Sequence, residues 1–373
     1  MHCNPEITIL KDTRSFAALK EDWEKLYHDC TLSTPLQSWS WLYSWWESFG
    51  EGYELCLITV RERERLVGLI PLMLERRWGF GRLLFIGERA QPKDLLAKKG
   101  WEDKVSEAAI RALRQIDSWH VLDVRDVSSG AAFWGIYQQW KGRQVHALTD
   151  YYHFLEVKPW DKVLASLNRK HRSTVRRTLR RAEEDGVCSI MLAESEGVEQ
   201  AACRLVTLHR SLRQGRDISR EHLTPEFESF IGAATRRMAD CGLGTIVEFR
   251  RDGEVIISSF TLFGEEITYA YLVGVNQEAM RRYQWSSLGI YGTLTLAEGR
   301  NSAYVCLAQA ADPYKQRWPH EKVAYHQIVL GRGSVSWILY SMYLSLHAWA
   351  ERHMKSDSTP DFIKNVAERL RRR

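Results

Sequence analysis

Most of the usual markers of chemistry are missing from this sequence. The seven cysteines (Cys3, Cys30, Cys56, Cys188, Cys203, Cys241, Cys306) are odd in number, scattered, and never spaced as C-x-x-C. Neither a disulfide framework nor a zinc ribbon is indicated, and a reducing compartment is expected. There is no H-E-x-x-H, P-loop or G-x-S-x-G, and Gly79-Phe80-Gly81 lacks the third glycine of a dinucleotide fingerprint. No metal is therefore expected, and triphosphate and serine hydrolysis lack their signatures. Charge of one sign is not in large excess: 52 Lys and Arg against 47 Asp and Glu leave +5, far from the field of a dedicated nucleic-acid binder.

Targeting signals and long apolar runs are equally scarce. Met1 to Leu10 contains Asn4, Pro5 and Glu6 and has neither the basic start nor the apolar stretch of a secretory signal, which predicts a cytoplasmic protein. One stretch, Gly333 to Ala350, has no Asp, Glu, Lys or Arg, but Ser334, Ser336, Ser341, Ser345 and His347 interrupt it. It reads as a buried terminal helix, or as an interfacial one flanked by Arg332, Arg352 and Lys355 at the inner membrane's periphery, rather than as a span.

What is present is the composition of a folded protein, 45% apolar and 27% charged over 373 residues, long enough for two or three domains. An element order occurs twice. Leu55 to Val60 and Leu66 to Leu74 flank a charged turn at Arg61 to Glu64, and Thr245 to Phe249 and Val255 to Phe263 flank Arg251-Asp252-Gly253. Both read as hairpins. Each follows an apolar helical segment (Trp39 to Phe49; Phe227 to Met238) and precedes a third strand (Leu83 to Gly87; Ile267 to Val275). Each half then offers a helix and a strand: Glu102 to Gln115 with His120 to Val127, and Leu288 to Glu298 with Ala303 to Ala308. The order predicts an α/β (α+β) chain of two tandem domains, 6–155 and 156–332, each a mixed, largely antiparallel sheet flanked by helices. A helical extension, 333–373, follows. The seam is placed at Tyr152 to Lys158.

Past the seam, Asn168 to Asp185 carries Arg169, Lys170, Arg172, Arg176, Arg177, Arg180 and Arg181, with Leu164, Leu167, Val175 and Leu179 at helical spacing. This is an amphipathic helix whose cationic face is either solvated or docks an anionic ligand. Trp39, Trp41, Trp45 and Trp46 fall at one-turn and two-turn spacing, which suits a core helix, with stacking on sugar rings as the alternative.

Several strings in this order resemble the CelD-type acyltransferases of cellulose and exopolysaccharide synthesis. Those are members of the GNAT superfamily with two tandem GNAT-like domains, related to the FemAB transferases. The strings are Leu66-Val67-Gly68-Leu69-Ile70-Pro71-Leu72, Ser166-Leu167-Asn168-Arg169-Lys170-His171-Arg172, and Asp312-Pro313-Tyr314-Lys315-Gln316-Arg317-Trp318. The resemblance spans Phe16 to Trp318. It implies acetyl-CoA or another acyl-CoA as donor, bound where two strands splay and with its pyrophosphate on the following helix start.

The resemblance places that cradle at Arg281, Arg282, Ser286, Ser287 and Gly289, although one glycine and Trp285 replace the usual glycine-rich loop. It makes Tyr314 the general acid for the departing thiolate, with Lys315 supplying charge beside it. His209, Arg210, Tyr269, Tyr271, Asp312 and Arg317 are candidate acceptor contacts, and Glu248, Glu298, His209 and Asp312 are candidate bases. The implied partners are a small-molecule or saccharide acceptor and membrane-associated polysaccharide synthesis machinery. The alternatives are an aminoacyl-tRNA donor, as in the FemAB relatives, and a catalytically silent scaffold.

Overall fold

The computed structural model of the protein describes residues 5–77, 79–87, 92–117, 119–191, 195–213, 219–309, 314–333, 337–338 and 340–342. The first half runs β1 (Glu6–Leu10), α1 (Thr13–Ala18), α2 (Lys20–Asp29), α3 (Trp39–Phe49), β2 (Tyr53–Glu62), β3 (Arg65–Arg77), β4 (Phe80–Phe85), β5 (Leu96–Ala97), α4 (Glu102–Gln115), β6 (Val121–Ser128), α5 (Trp134–Gln139) and β7 (Arg143–Glu156). The second runs α6 (Trp160–Ser166), α7 (Arg169–Glu184), β8 (Cys188–Met191), α8 (Ser195–Leu212), α9 (Pro225–Asp240), β9 (Gly244–Arg251), β10 (Glu254–Phe263), β11 (Ile267–Val275), α10 (Gln277–Arg282), α11 (Trp285–Gly299), β12 (Tyr304–Gln309) and β13 (Glu321–Gly331).

Local chemistry explains the hairpins and helix starts. Asp252 and Gly253 both take positive φ (51° and 82°) between β9 and β10, as the two-residue turn that matches strand twist requires. Ser38 caps α3 by accepting from Trp41 N at 3.2 Å, and Asn168 caps α7 by accepting from His171 N at 2.9 Å, each relieving a helix-start donor. On α7 the buried face is His171, Val175, Thr178 and Ala182, which leaves the arginines outward.

Instead of two separate sheets, the described strands form one, in the order β1-β2-β3-β4-β6-β13-β7-β12-β11-β10-β9-β8, with β5 beside β3. The halves exchange their last strands. β7, from the first half, pairs with β12 (Phe154↔Cys306), and β13, from the second, pairs with β6 (Leu330↔Leu122). β7 and β13 also pair with each other, from Glu321↔Phe154 to Gly331↔Arg143. The seam predicted at Tyr152 to Lys158 thus begins inside a strand shared by both halves.

The tryptophan helix closes the joint from one face. Trp39, Trp41, Trp45 and Trp46 are all buried, and Trp41 meets Phe230 at 5.0 Å and Tyr271 at 4.7 Å, both edge-on and both in the second half. Burial of rings this large stabilises the joint by several kcal/mol, about 1.5–3 per large side chain. No helix of the described residues is long and apolar enough to cross a membrane. The predicted helical extension lies largely outside the described residues.

Candidate active site

The site begins where two parallel strands part. β11 and β12 pair at Ile267↔Tyr304, Thr268↔Val305 and Tyr269↔Cys306, and no further. The cause lies on either side. β11 stays paired with β10 as far as Ile257↔Val275, through a register shift between Phe260 and Thr261. β12 follows β7 through a bulge between Cys306 and Gln309, where Ala308 takes φ 58°. A bulge kinks its strand, so one strand is drawn toward β7 while the other stays with β10, and a wedge opens between them. α11 packs against both diverging strands. The first amides of α11 lack intrahelical partners, and the helix dipole makes that end attractive to anions.

Several predicted donor-side residues gather here. Arg281 is exposed and makes no ion pair among the described residues. A Cβ on Gly289 would meet nothing within 4 Å, so that face of α11 is open to a ligand. Tyr314 lies edge-on to Trp285 at 5.5 Å, and Lys315 Nζ donates to Gln309 O at 2.9 Å. Tyr314 and Lys315 are thereby held between the end of β12 and the start of α11. Arg317 is exposed in the 3-10 turn that follows. Asp312 lies outside the described residues.

Other predicted residues are engaged elsewhere. Arg282 grips Asp185 with two nitrogens, and Tyr283 donates to the same carboxylate at 2.5 Å. These hydrogen bonds hold the Asp185 carboxyl well below the usual range. Ser286 and Ser287 are buried, and Ser287 Oγ donates to Gln284 Oε1 at 3.0 Å. His209 is buried, which lowers its basicity, and it is fixed by Val273 O (2.8 Å) and His222 Nδ1 (3.0 Å). Arg210 binds His222 O, Thr224 O and Glu228, bracing the start of α9. Tyr271 belongs to the tryptophan joint, and Glu248 is buried between Arg204 (2.8 Å) and Arg250 (2.5 Å). Glu298 is exposed on α11.

Tyr269 has a different position. It lines a cavity of about 760 Å³ between the halves, together with Lys93, Asp94, Glu265, Glu266, Glu321 and Tyr325 among others. Cys306, across the last rung from Tyr269, is buried, which pushes its thiol up to about 12 and keeps it protonated near neutral pH. It is no nucleophile in that state.

The first half repeats the wedge and then fills it. β4 and β6 pair only at Arg82↔Val121 and Leu83↔Leu122. β6 bulges between Val124 and Val127, with Asp126 at φ 58°, the counterpart of Ala308. Here, however, residues 92–97 enter the gap. Lys93 N donates to Asp126 O at 3.1 Å, and β5 pairs with β3 at Gly68↔Ala97 and Leu69↔Leu96. Asp94 anchors the insert by accepting from Leu95, Ala132 and Phe133 N at 2.7–2.8 Å. Burial raises its carboxyl to about 7 against those bonds. Lys93, Asp94 and Asp126 escaped the sequence reading because their loop has no periodicity, and a bulge at Asp126 leaves no residue signature.

Residues 169–316 match the family model described as an acetyltransferase (GNAT) domain. No curated protein matches the sequence. Among solved structures, FemX is similar over 90% of this chain and 99% of its own, with TM-score 0.63 and 12% identity. L-PGS from Bacillus licheniformis is similar over 86% of this chain and 96% of its own (TM-score 0.55, 10% identity). The C-terminal domain of a putative lysylphosphatidylglycerol synthetase from Agrobacterium fabrum is similar over 87% and 95% (TM-score 0.54, 8% identity). Likeness at such identities is likeness of fold. The chain thus has a FemX-like fold, and residues 169–316 in its second half match an acetyltransferase (GNAT) domain.

Proposed function

We propose that the protein transfers an acyl group from acyl-CoA, held in the wedge between β11 and β12, to an amine or hydroxyl acceptor. The observation that carries this reading is the parting of the strands after Tyr269↔Cys306, inside the segment that matches the acetyltransferase domain. The wedge fits the donor: its β11 edge has no strand partner past Tyr269 among the described residues, Gly289 leaves α11 open, and Arg281 supplies charge. Bound acyl-CoA supplies an activated thioester. In the transfer, the acceptor nitrogen or oxygen bonds to the acyl carbon as the C–S bond breaks. Tyr314 gives its proton to the departing thiolate, a base of comparable strength, and recovers one released by the acceptor through solvent. The resemblance to CelD-type enzymes supports a cytoplasmic setting in exopolysaccharide or envelope synthesis, beside membrane-associated synthesis machinery.

The test is thermal unfolding with and without acetyl-CoA and longer acyl-CoAs. Ligand at about 100 times its Kd stabilises by about 2.7 kcal/mol, so a clear rise in Tm is expected. No shift with any acyl-CoA would remove the donor. The FemX-like fold and the outward arginines of α7 support a second reading, with aminoacyl-tRNA as donor. It requires binding that weakens steeply with salt as counterions are released. Absence of both donors would leave a scaffold role.

A further inference from the structure

Resting on the acyl-transfer reading above, we propose that the cavity between the halves is the acceptor site, and that it selects a cationic, hydroxylated amine over neutral or anionic analogues.

Position is the first argument. Tyr269 is the last residue of β11 paired to β12 before the strands part, and it also lines the cavity. The cavity therefore borders the last paired rung, next to the point where the strands part. Its volume, about 760 Å³, is that of a small-molecule site.

Charge is the second. Glu265, Glu266 and Glu321 line the cavity from the second half, all three are exposed, and none makes an ion pair among the described residues. Asp29, also in the wall, is engaged by Arg65 at 2.5 Å. The cations present are Lys99 at the wall and Lys93, which is buried and lies 4.0 Å from Asp126. A local surplus of carboxylates in a chain of net charge +5 attracts an ammonium group and repels a phosphate.

The interior gives the third, independent argument. Tyr269 and Tyr325 are only 7% and 4% exposed, both line the cavity, and neither hydroxyl hydrogen-bonds to a described residue. Burial also raises both phenols, so each remains a neutral O–H able to donate and accept. Two such groups facing a polar cavity suit the hydroxyls of a bound ligand.

Ligand-observed NMR on the full chain, without CoA, tests this using D-glucosamine, D-glucose and D-glucose 6-phosphate at millimolar concentration. Glucosamine is expected to bind about tenfold more tightly than glucose, with no binding of the 6-phosphate and with a preference that fades as salt rises. The triple variant Glu265→Gln, Glu266→Gln, Glu321→Gln should abolish the preference, and Tyr269→Phe should weaken both uncharged and cationic sugars. Equal or tighter binding of the 6-phosphate would overturn the proposal. So would binding of none of the three sugars, or a preference insensitive to salt in the unaltered protein. Because no donor is present, failure of the acyl-CoA reading would show separately, as an absent thermal shift.

Discussion

The two halves build the same wedge and put it to different use. In each, a parallel pair ends after two or three rungs, and the second strand bulges at a residue of φ 58°, Asp126 or Ala308. In the first half the opening is sealed by backbone: Lys93 bonds to β6, β5 bonds to β3, and Asp94 ties the insert to Ala132 and Phe133. In the second, β11 runs on to Val275 with no strand paired to that edge past Tyr269 among the described residues. Once the strand edges are satisfied internally, no main-chain groups remain to hold a ligand. The difference predicts one donor site per chain, in the second half, and makes the first half's filled wedge a wall of the cavity between the halves.

The strongest way to break this asymmetry is to obstruct the open wedge. Gly289→Trp should lower acyl-CoA affinity by more than about a hundredfold, and a Cβ at this position meets no protein atom within 4 Å; titration calorimetry reads both stoichiometry and Kd. A binding ratio of two, or unaltered affinity, would refute a single site on α11. The sealed wedge should respond in the opposite manner. Asp94→Ala leaves three buried amides without acceptor, a loss of about 2–5 kcal/mol in denaturant unfolding, while acyl-CoA affinity stays within about twofold. The neighbouring arginines sharpen the contrast further. Arg281→Ala should weaken acyl-CoA about three- to tenfold without altering Tm, since one phosphate contact is at stake. Arg282→Ala should lower Tm instead, because its guanidinium is already committed to Asp185.

Much of this was legible in the sequence because it follows from periodicity. α3, α4 and β11 fall within the limits that the apolar patterns predict, and the duplicated order is present element by element. The strand exchange was not legible: β7 and β13 have ordinary strand composition, and which neighbour a strand chooses is settled by long-range packing that a single sequence does not encode locally. The site divided along the same line. Tyr314 packs on Trp285 at the start of α11, and Arg281 and Gly289 each lie four residues from Trp285 in the chain. The cavity of Tyr269, Tyr325 and Lys93 draws on both halves and becomes visible only when the sheet closes. Ser286 and Ser287 are buried and Arg282 is paired with Asp185, features that residue type alone does not reveal.

The smallest expected effect concerns the residues facing the two bulges. Gln327 on β13 faces the β6 bulge, and His153 on β7 faces the β12 bulge. Gln327 donates to Asp123 at 2.7 Å. His153 is buried, stacks on His320 at 3.8 Å, and neither ring nitrogen has a partner among the described residues. Burial, with His320, Lys322 and Lys315 nearby and only Asp150 opposing, lowers its imidazole to about 4, against about 6.5 in an unfolded chain. Between those values the unfolded state binds a proton that the folded state refuses, so stability rises with pH across the window and falls on acidification. Denaturant midpoints measured from pH 7 down to pH 4.5 should therefore decline in the unaltered protein and decline less in His153→Phe. A parallel decline in the two would place the acid sensitivity elsewhere. The same variant leaves Gln327, which faces the first half's bulge, untouched, so the experiment isolates the one bulge that borders the open wedge.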